Sequence, residues 1–384
     1  MKKVLPLLLA LALIISGGIS YFIIASPTKS ISQGSDKVIE SCVTSKDQTR
    51  CFTNYFNQYI PILPVTKLVN QLYNYREKVP KATEYCHETA LRIGVKSWVT
   101  YKDIDKVIKV GTSVCASGYL HGAQQAMGDD NSIPSSLLIK DLVKTCNEIT
   151  NGDPSDNNYR SCFHGIGHTV YLRANDNYDA GLKICQYLSD EISSNDYNGN
   201  FTQRELCSEG LTMRYAEYIN ESVVHYEGDY PKRSDVNVLA NPFILCDKII
   251  DKSLRYGCFS YGSRAFTHDD KSRNRTTTLC NLYPKIDQIP CYYGLSRELA
   301  YTASTDTYSN VVTYCNRASD DEAAYHCGVN AILNRITIDN DLKTPIIVCN
   351  KLPKTTRFKE ICAYVIKNIR LTEGEVNKNI TNNR

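Results

Sequence analysis

Sixteen cysteines in 384 residues, set at recurring intervals, restrict what this chain can become more than any other property. In the C-terminal part they fall in close pairs: Cys246/Cys258, Cys280/Cys291, Cys315/Cys327 and Cys349/Cys362. Successive first members lie 34, 35 and 34 residues apart, and successive second members 33, 36 and 35. A period near 34 with apolar residues at helical spacing is that of stacked helix–turn–helix units. Within a pair the separation of 11 to 13 residues puts one cysteine about 1.5 turns before a tight turn and its mate as far beyond it. A disulfide there staples the two helices of one unit. Bridges between units fit the same positions, because connectivity is not readable from spacing. Each hairpin buries only one face, so closing a loop of a dozen residues, worth roughly 2–4 kcal/mol, supports thin interfaces between units. The expectation is an all-α fold of helical-hairpin repeats, α-solenoid-like and stapled by disulfides.

Such a framework needs an oxidising compartment, and the N-terminus supplies a route to one. Lys2 and Lys3 precede Val4 to Ala25, a run without a charged residue. As a helix those residues reach about 33 Å, enough to cross a hydrocarbon layer of about 30 Å. The two lysines stay on the cytoplasmic side and the body lies outside. Length favours a retained signal-anchor. Ser16-Gly17-Gly18 interrupts the apolar run and leaves a cleaved signal peptide as the alternative. Either way the expected location is extracytoplasmic, anchored in the cytoplasmic membrane or secreted. Every cysteine is then a disulfide candidate: Cys42, Cys51, Cys86, Cys115, Cys146, Cys162, Cys185, Cys207 and the eight already named.

The organisation follows. Residues 1–26 are the anchor or signal, and 27–81 a polar linker and N-terminal helices broken at Pro61, Pro64 and Pro80. Residues 82–236 form a lobe with irregular cysteine spacing and two polar loops, around 151–158 and 193–200. Residues 237–371 carry the regular pairs, and 372–384 are a polar tail. Lys+Arg 44 against Asp+Glu 41, with no long run of one sign, leaves no electrostatic footprint for nucleic acid. No C-x-x-C, P-loop or G-x-S-x-G occurs. Asp196-x-Asn198-x-Asn200 starts like a calcium loop, but its glycine sits at the fourth position where the sixth is needed, so it reads as a solvated loop. Four N-x-[ST] sequons begin at Asn200, Asn220, Asn274 and Asn379.

Chemistry concentrates in the irregular lobe. Cys115-Ala116-Ser117-Gly118-Tyr119-Leu120-His121-Gly122 and Cys162-Phe163-His164-Gly165-Ile166-Gly167-His168 each put a glycine three residues, and a histidine six residues, after the cysteine. Cys207-Ser208-Glu209-Gly210 repeats the glycine. His164 and His168 are i, i+4, so a helix presents both from one face, as two nitrogen ligands for a metal ion require. His87 and His121, with Glu88 or Glu209 as weaker candidates, complete a ligand set if the units curl together. The implied cofactor is a divalent transition metal, zinc or copper. The plainer alternative is a set of buried histidines bonded to backbone carbonyls between closely packed helices. Gly165 and Gly167 are costly inside a helix, and their presence points to another backbone or a ligand approaching closely. His87-Glu88-Thr89-Ala90-Leu91 lacks the second histidine of H-E-x-x-H, which argues against protease chemistry of that type.

With Cys86-His87, Cys115-x-x-Gly118-Tyr119-x-His121-Gly122 and Cys162-x-His164-Gly165-x-Gly167-His168 in place, the chain resembles a family of exported, cysteine-rich helical-repeat proteins. Its members look like C-H-x-x-x-H, C-x-x-G-Y-x-H-G-x-x-E, C-x-H-G-x-G-H and C-x-x-G-x-x-M-E-N in that order, followed by simpler cysteine repeats. The resemblance covers about residues 80–370. It implies the architecture and the candidate site, but no reaction. Leu91 stands at the family's second histidine, Gln125 at its glutamate, and Arg214 after Met213 at its second acid. If the family's polar set is a metal or catalytic centre, this copy lacks up to three of its parts.

The leading functional expectation is a binding or scaffold module, working outside the cytoplasmic membrane through a concave repeat surface and a protein partner at the envelope. The alternative is a metal-binding protein or metal-dependent enzyme, hydrolase or redox, built on the central histidines. A structural envelope component without a discrete ligand is the third.

Overall fold

The computed structural model describes residues 41–78, 83–111, 115–191, 201–219, 236–301, 307–339 and 359–367, single positions inside these ranges apart, together with Cys349 and Arg357. Among the described residues the chain is helical and contains no strand. The apolar N-terminal run, the linker after it, the 193–200 loop, the sequons at Asn200, Asn220 and Asn379, and the tail from 372 lie outside them. No described helix is long and apolar enough to cross a membrane.

Two helices, α1 (Gln48–Tyr59) and α2 (Val65–Lys78), precede the main body and pack on α3 (Thr83–Tyr101). From there inner helices, each packed on the next, alternate with outer ones that are mostly shorter: α4 (Ile104–Val110), α5 (Gly118–Asp129), α6 (Ser135–Thr150), α7 (Asn157–Arg173), α8 (Tyr178–Cys185) and α9 (Gln203–Ile219). After α10 (Val236–Ala240) and two 3₁₀ turns come α11 (Lys252–Ala265), α12 (Asp270–Cys280), α13 (Lys285–Tyr301), α14 (Thr307–Cys315) and α15 (Asp321–Asp339). The packing order follows from this alternation. α3, α5, α7, α9, α11, α13 and α15 each lie against the next, while α6, α8, α12 and α14 lean on the long helix that follows them. Starts are set locally: Asp156, Asn177 and Asp251 each accept a backbone N–H in the first turn of α7, α8 and α11, and Asp269 forms a capping box on α12.

Seven disulfides run along this array, each between consecutive cysteines: Cys42–Cys51, Cys86–Cys115, Cys146–Cys162, Cys185–Cys207, Cys246–Cys258, Cys280–Cys291 and Cys315–Cys327. Their Cα atoms are 5.0 to 5.8 Å apart. Cys280–Cys291 and Cys315–Cys327 join a short helix to the long one after the turn, as the spacing predicts. The irregular lobe does the same with longer loops: Cys146–Cys162 joins α6 to α7 and Cys185–Cys207 joins α8 to α9. Two expectations need correcting. The first half of the Cys246–Cys258 staple is a 3₁₀ turn, Cys246–Lys248, where a helix was expected. Cys349 and Cys362, expected as a fourth regular staple, are free thiols that hydrogen-bond to one another. So many bridges belong to an oxidising environment.

Between the long helices the backbones come close. A Cβ on Gly118 would stand 2.3 Å from the His87 carbonyl oxygen, and one on Gly210 1.9 Å from that of His164. The glycine three residues after a cysteine therefore lets one inner helix touch the backbone of its predecessor. Large apolar side chains, among them Trp98, Phe163, Leu206, Phe259 and Tyr292, fill the rest of the core.

Candidate metal centre

The bridging cysteines also set a register. Two and six residues beyond Cys86, Cys115, Cys162, Cys207, Cys258 and Cys291, i and i+4 on one helical face, come Glu88 and Arg92, Ser117 and His121, His164 and His168, Glu209 and Met213, Ser260 and Arg264, Tyr293 and Arg297. Because successive long helices stack, these faces form one polar column. It ends in α15, where the same positions are Val329 and Leu333.

His121 of α5 and His164 and His168 of α7 meet in the column. One ring nitrogen from each lies within 4.8 Å of the others, and all three rings are buried. Ring centroids are 5.1 Å apart for His121 with either partner and 5.2 Å for His164 with His168. His121 Nδ1 and His168 Nε2 are buried without a hydrogen-bond partner. A buried polar nitrogen left unpaired is costly, so two of them within a three-histidine cluster make the group one that can hold a metal ion. Burial pushes His121 and His168 well below the ordinary histidine range, and the neighbouring imidazoles add to it. Burial lowers His164 too, against the pull of Glu209. All three rings are therefore neutral at physiological pH, the form that ligates metal.

The remaining sequence candidates are placed around this group. His87 is next to His121, with ring centroids 5.5 Å apart, and its Nδ1 lies 3.0 Å from the Cys115 carbonyl oxygen, to which it donates. Glu88 is turned to Arg92 at 2.9 Å and is not within the three-histidine group. Glu209 is also outside it but adjoins it: fully buried, it accepts from Arg160 at 3.1 and 3.2 Å, from Arg297 at 2.7 Å, from Ser260 Oγ at 2.9 Å and from His164 Nδ1 at 3.3 Å. Burial alone would raise this carboxyl, but Arg160, Arg297 and His164 together hold it well below the usual carboxylate range. A carboxylate that accepts a hydrogen bond from the Nδ1–H of a histidine fixes the ring and leaves its Nε2 lone pair free, the usual support for a metal-binding imidazole.

Sequence reasoning missed three participants. Met213 Sδ is 3.3 Å from His164 Nε2, and Arg160 and Arg297 are the cations that keep Glu209 ionised. Met213 and Arg297 were within reach, since both fall in the register, six residues beyond Cys207 and Cys291. Gly294, three residues beyond Cys291, continues the glycine pattern as well; its Cβ would stand 1.7 Å from the Ser260 carbonyl oxygen. Gln125 is among the buried polar residues, and Arg214 is buried with its Nη1 donating to Glu217 at 2.7 Å.

Comparison with protein-family models, with curated proteins and with solved structures finds no match to this chain. The reading of the site therefore rests on its own chemistry.

Proposed function

We propose that this protein is an extracytoplasmic binding module whose ligand is a transition-metal ion, held by His121, His164 and His168 inside a disulfide-stapled array of helical repeats. The observation that carries this reading is the convergence of three neutral, buried imidazoles, two of which have a ring nitrogen without a hydrogen-bond partner. Histidine nitrogens of this kind suit zinc, copper and related ions. Holding a metal fits better than hydrolysis. A metal-dependent hydrolase needs a base beside its bound water, and the adjacent carboxylate, Glu209, is locked between two guanidiniums.

In the same proposal the apolar N-terminal run tethers the module to the outer side of the cytoplasmic membrane. The stacked units form an α-solenoid whose surface meets a protein partner of the envelope. The seven disulfides support the location. Elemental analysis of the purified protein tests the core of the reading. A stoichiometric transition metal in the wild type that is absent from His164→Ala/His168→Ala supports it. Metal-free wild-type protein that also takes up none of the first-row ions offered to it overturns it and returns the scaffold reading.

A further inference from the structure

Resting on the metal-site reading, we infer that the centre is built for monovalent copper, with the thioether of Met213 as a fourth donor beside the three histidines. The position of the sulfur is the first observation. Glu209 can only accept, so His164 donates through Nδ1, and the neutral ring faces Met213 Sδ with a lone pair on Nε2 at 3.3 Å. Two lone pairs turned towards each other repel, and a cation between them makes the contact attractive. An ion about 2.0 Å from a nitrogen and about 2.3 Å from a sulfur, ordinary bond lengths, spans that gap at an angle of about 100°. Met213 is itself buried, one helix onward in the column and in the same register as His121 and His168.

Charge is the second observation. Every donor in the set is neutral, and the site is surrounded by cationic side chains: Arg264 acts on His121, Arg160 and Arg297 on His164, and Arg214 on His168. The carboxylates bonded to these arginines are neutralised by them, Glu209 by Arg160 and Arg297 and Glu217 by Arg214. The cost of transferring an ion from water into such an interior grows with the square of its charge, so a 2+ ion meets about four times the penalty of a 1+ ion. Among monovalent ions, sodium and potassium need oxygen ligands, which this set lacks. Imidazole and thioether together are the donors that favour Cu(I).

The test uses the full protein with Cys349→Ser/Cys362→Ser, which removes the two free thiols as a competing copper site. Cu(I) is added anaerobically with ascorbate and competed against a chromophoric Cu(I) chelator. Zn(II) is titrated in parallel, and copper-edge X-ray absorption reads the ligand shell. The expected result is one Cu(I) per chain, bound far more tightly than Zn(II), with one sulfur among nitrogen ligands. Met213→Leu should remove the sulfur signal and weaken Cu(I) binding by at least the roughly tenfold seen when a supporting partner is lost. It should leave Zn(II) binding unchanged. Unaltered Cu(I) affinity in Met213→Leu, or Zn(II) bound as tightly as Cu(I), overturns the copper assignment while the three-histidine site stands. Binding of neither ion, with His164→Ala/His168→Ala indistinguishable from its parent, removes the metal site itself.

Discussion

Acidification should unfold the metal-free protein steeply, and the buried rings set the slope. In the unfolded chain His121, His164 and His168 take up protons near pH 6.5. In the fold, burial keeps His121 and His168 neutral far below that, and lowers His164 against the pull of Glu209. Their contribution to stability is therefore complete above about pH 6.5 and is lost as the pH falls towards the folded-state values. Each proton that the fold refuses contributes about 1.4 kcal/mol of lost stability per pH unit. Glu205 acts the other way. Burial pushes it up to about 7, so between that value and the ordinary 4.5 the fold holds a proton that the unfolded chain has released. The two protons refused by His121 and His168 and the one retained by Glu205 leave a net of about one, or about 1.4 kcal/mol per pH unit between pH 6 and pH 5, to which His164 adds in the same direction. Set against a typical total of 5–15 kcal/mol, this is a large loss. Urea unfolding followed by far-ultraviolet circular dichroism, with disulfides intact, measures it across that range. His168→Gln should flatten the slope by about 1.4 kcal/mol per pH unit, whatever its effect on absolute stability. Identical slopes for wild type and variant would refute the claim that this ring is held neutral in the interior.

Three further outcomes follow from the same structure. Gly210→Ala gains helix propensity of up to about 1 kcal/mol, yet should lower stability by about 1–3 kcal/mol in thermal unfolding, because its Cβ meets the His164 carbonyl oxygen at 1.9 Å. Glu209→Gln leaves Arg160 and Arg297 buried against a neutral amide and should cost about 3–5 kcal/mol in urea unfolding, more than any exposed acid in the chain. Thiol titration of the unfolded, unreduced protein should return two reactive groups per chain, Cys349 and Cys362, and sixteen after reduction.

Much of this was legible before any coordinates. The close pairs at Cys280/Cys291 and Cys315/Cys327 pointed to the staple that the structure shows, because a tight helical turn allows few separations, although bridges between units fitted the same spacing. His121, His164 and His168 were found because histidine and glycine stand out behind a cysteine. Met213 followed the same rule and was passed over, since a methionine at helical spacing reads as core. Arg160 was out of reach: it precedes its cysteine, and only the stacking of the helices brings its side chain to Glu209 of α9 and Tyr293 of α13. Connectivity in the irregular lobe was hidden for a related reason. The loops closed by Cys86–Cys115 and Cys185–Cys207, with separations of 29 and 22, include an extra helix or a long polar segment, so spacing alone does not name the partner.

The bridges have one more implication, for how the molecule is made. Each joins a cysteine to the next one along the chain, none crosses another, and the widest spans 29 residues. A polypeptide oxidised in the order in which it emerges would reach this pattern directly, without trapped mispairings to undo. Its covalent topology is a string of small rings, so cleavage in a segment that no ring encloses separates two intact pieces, each still cross-linked within itself.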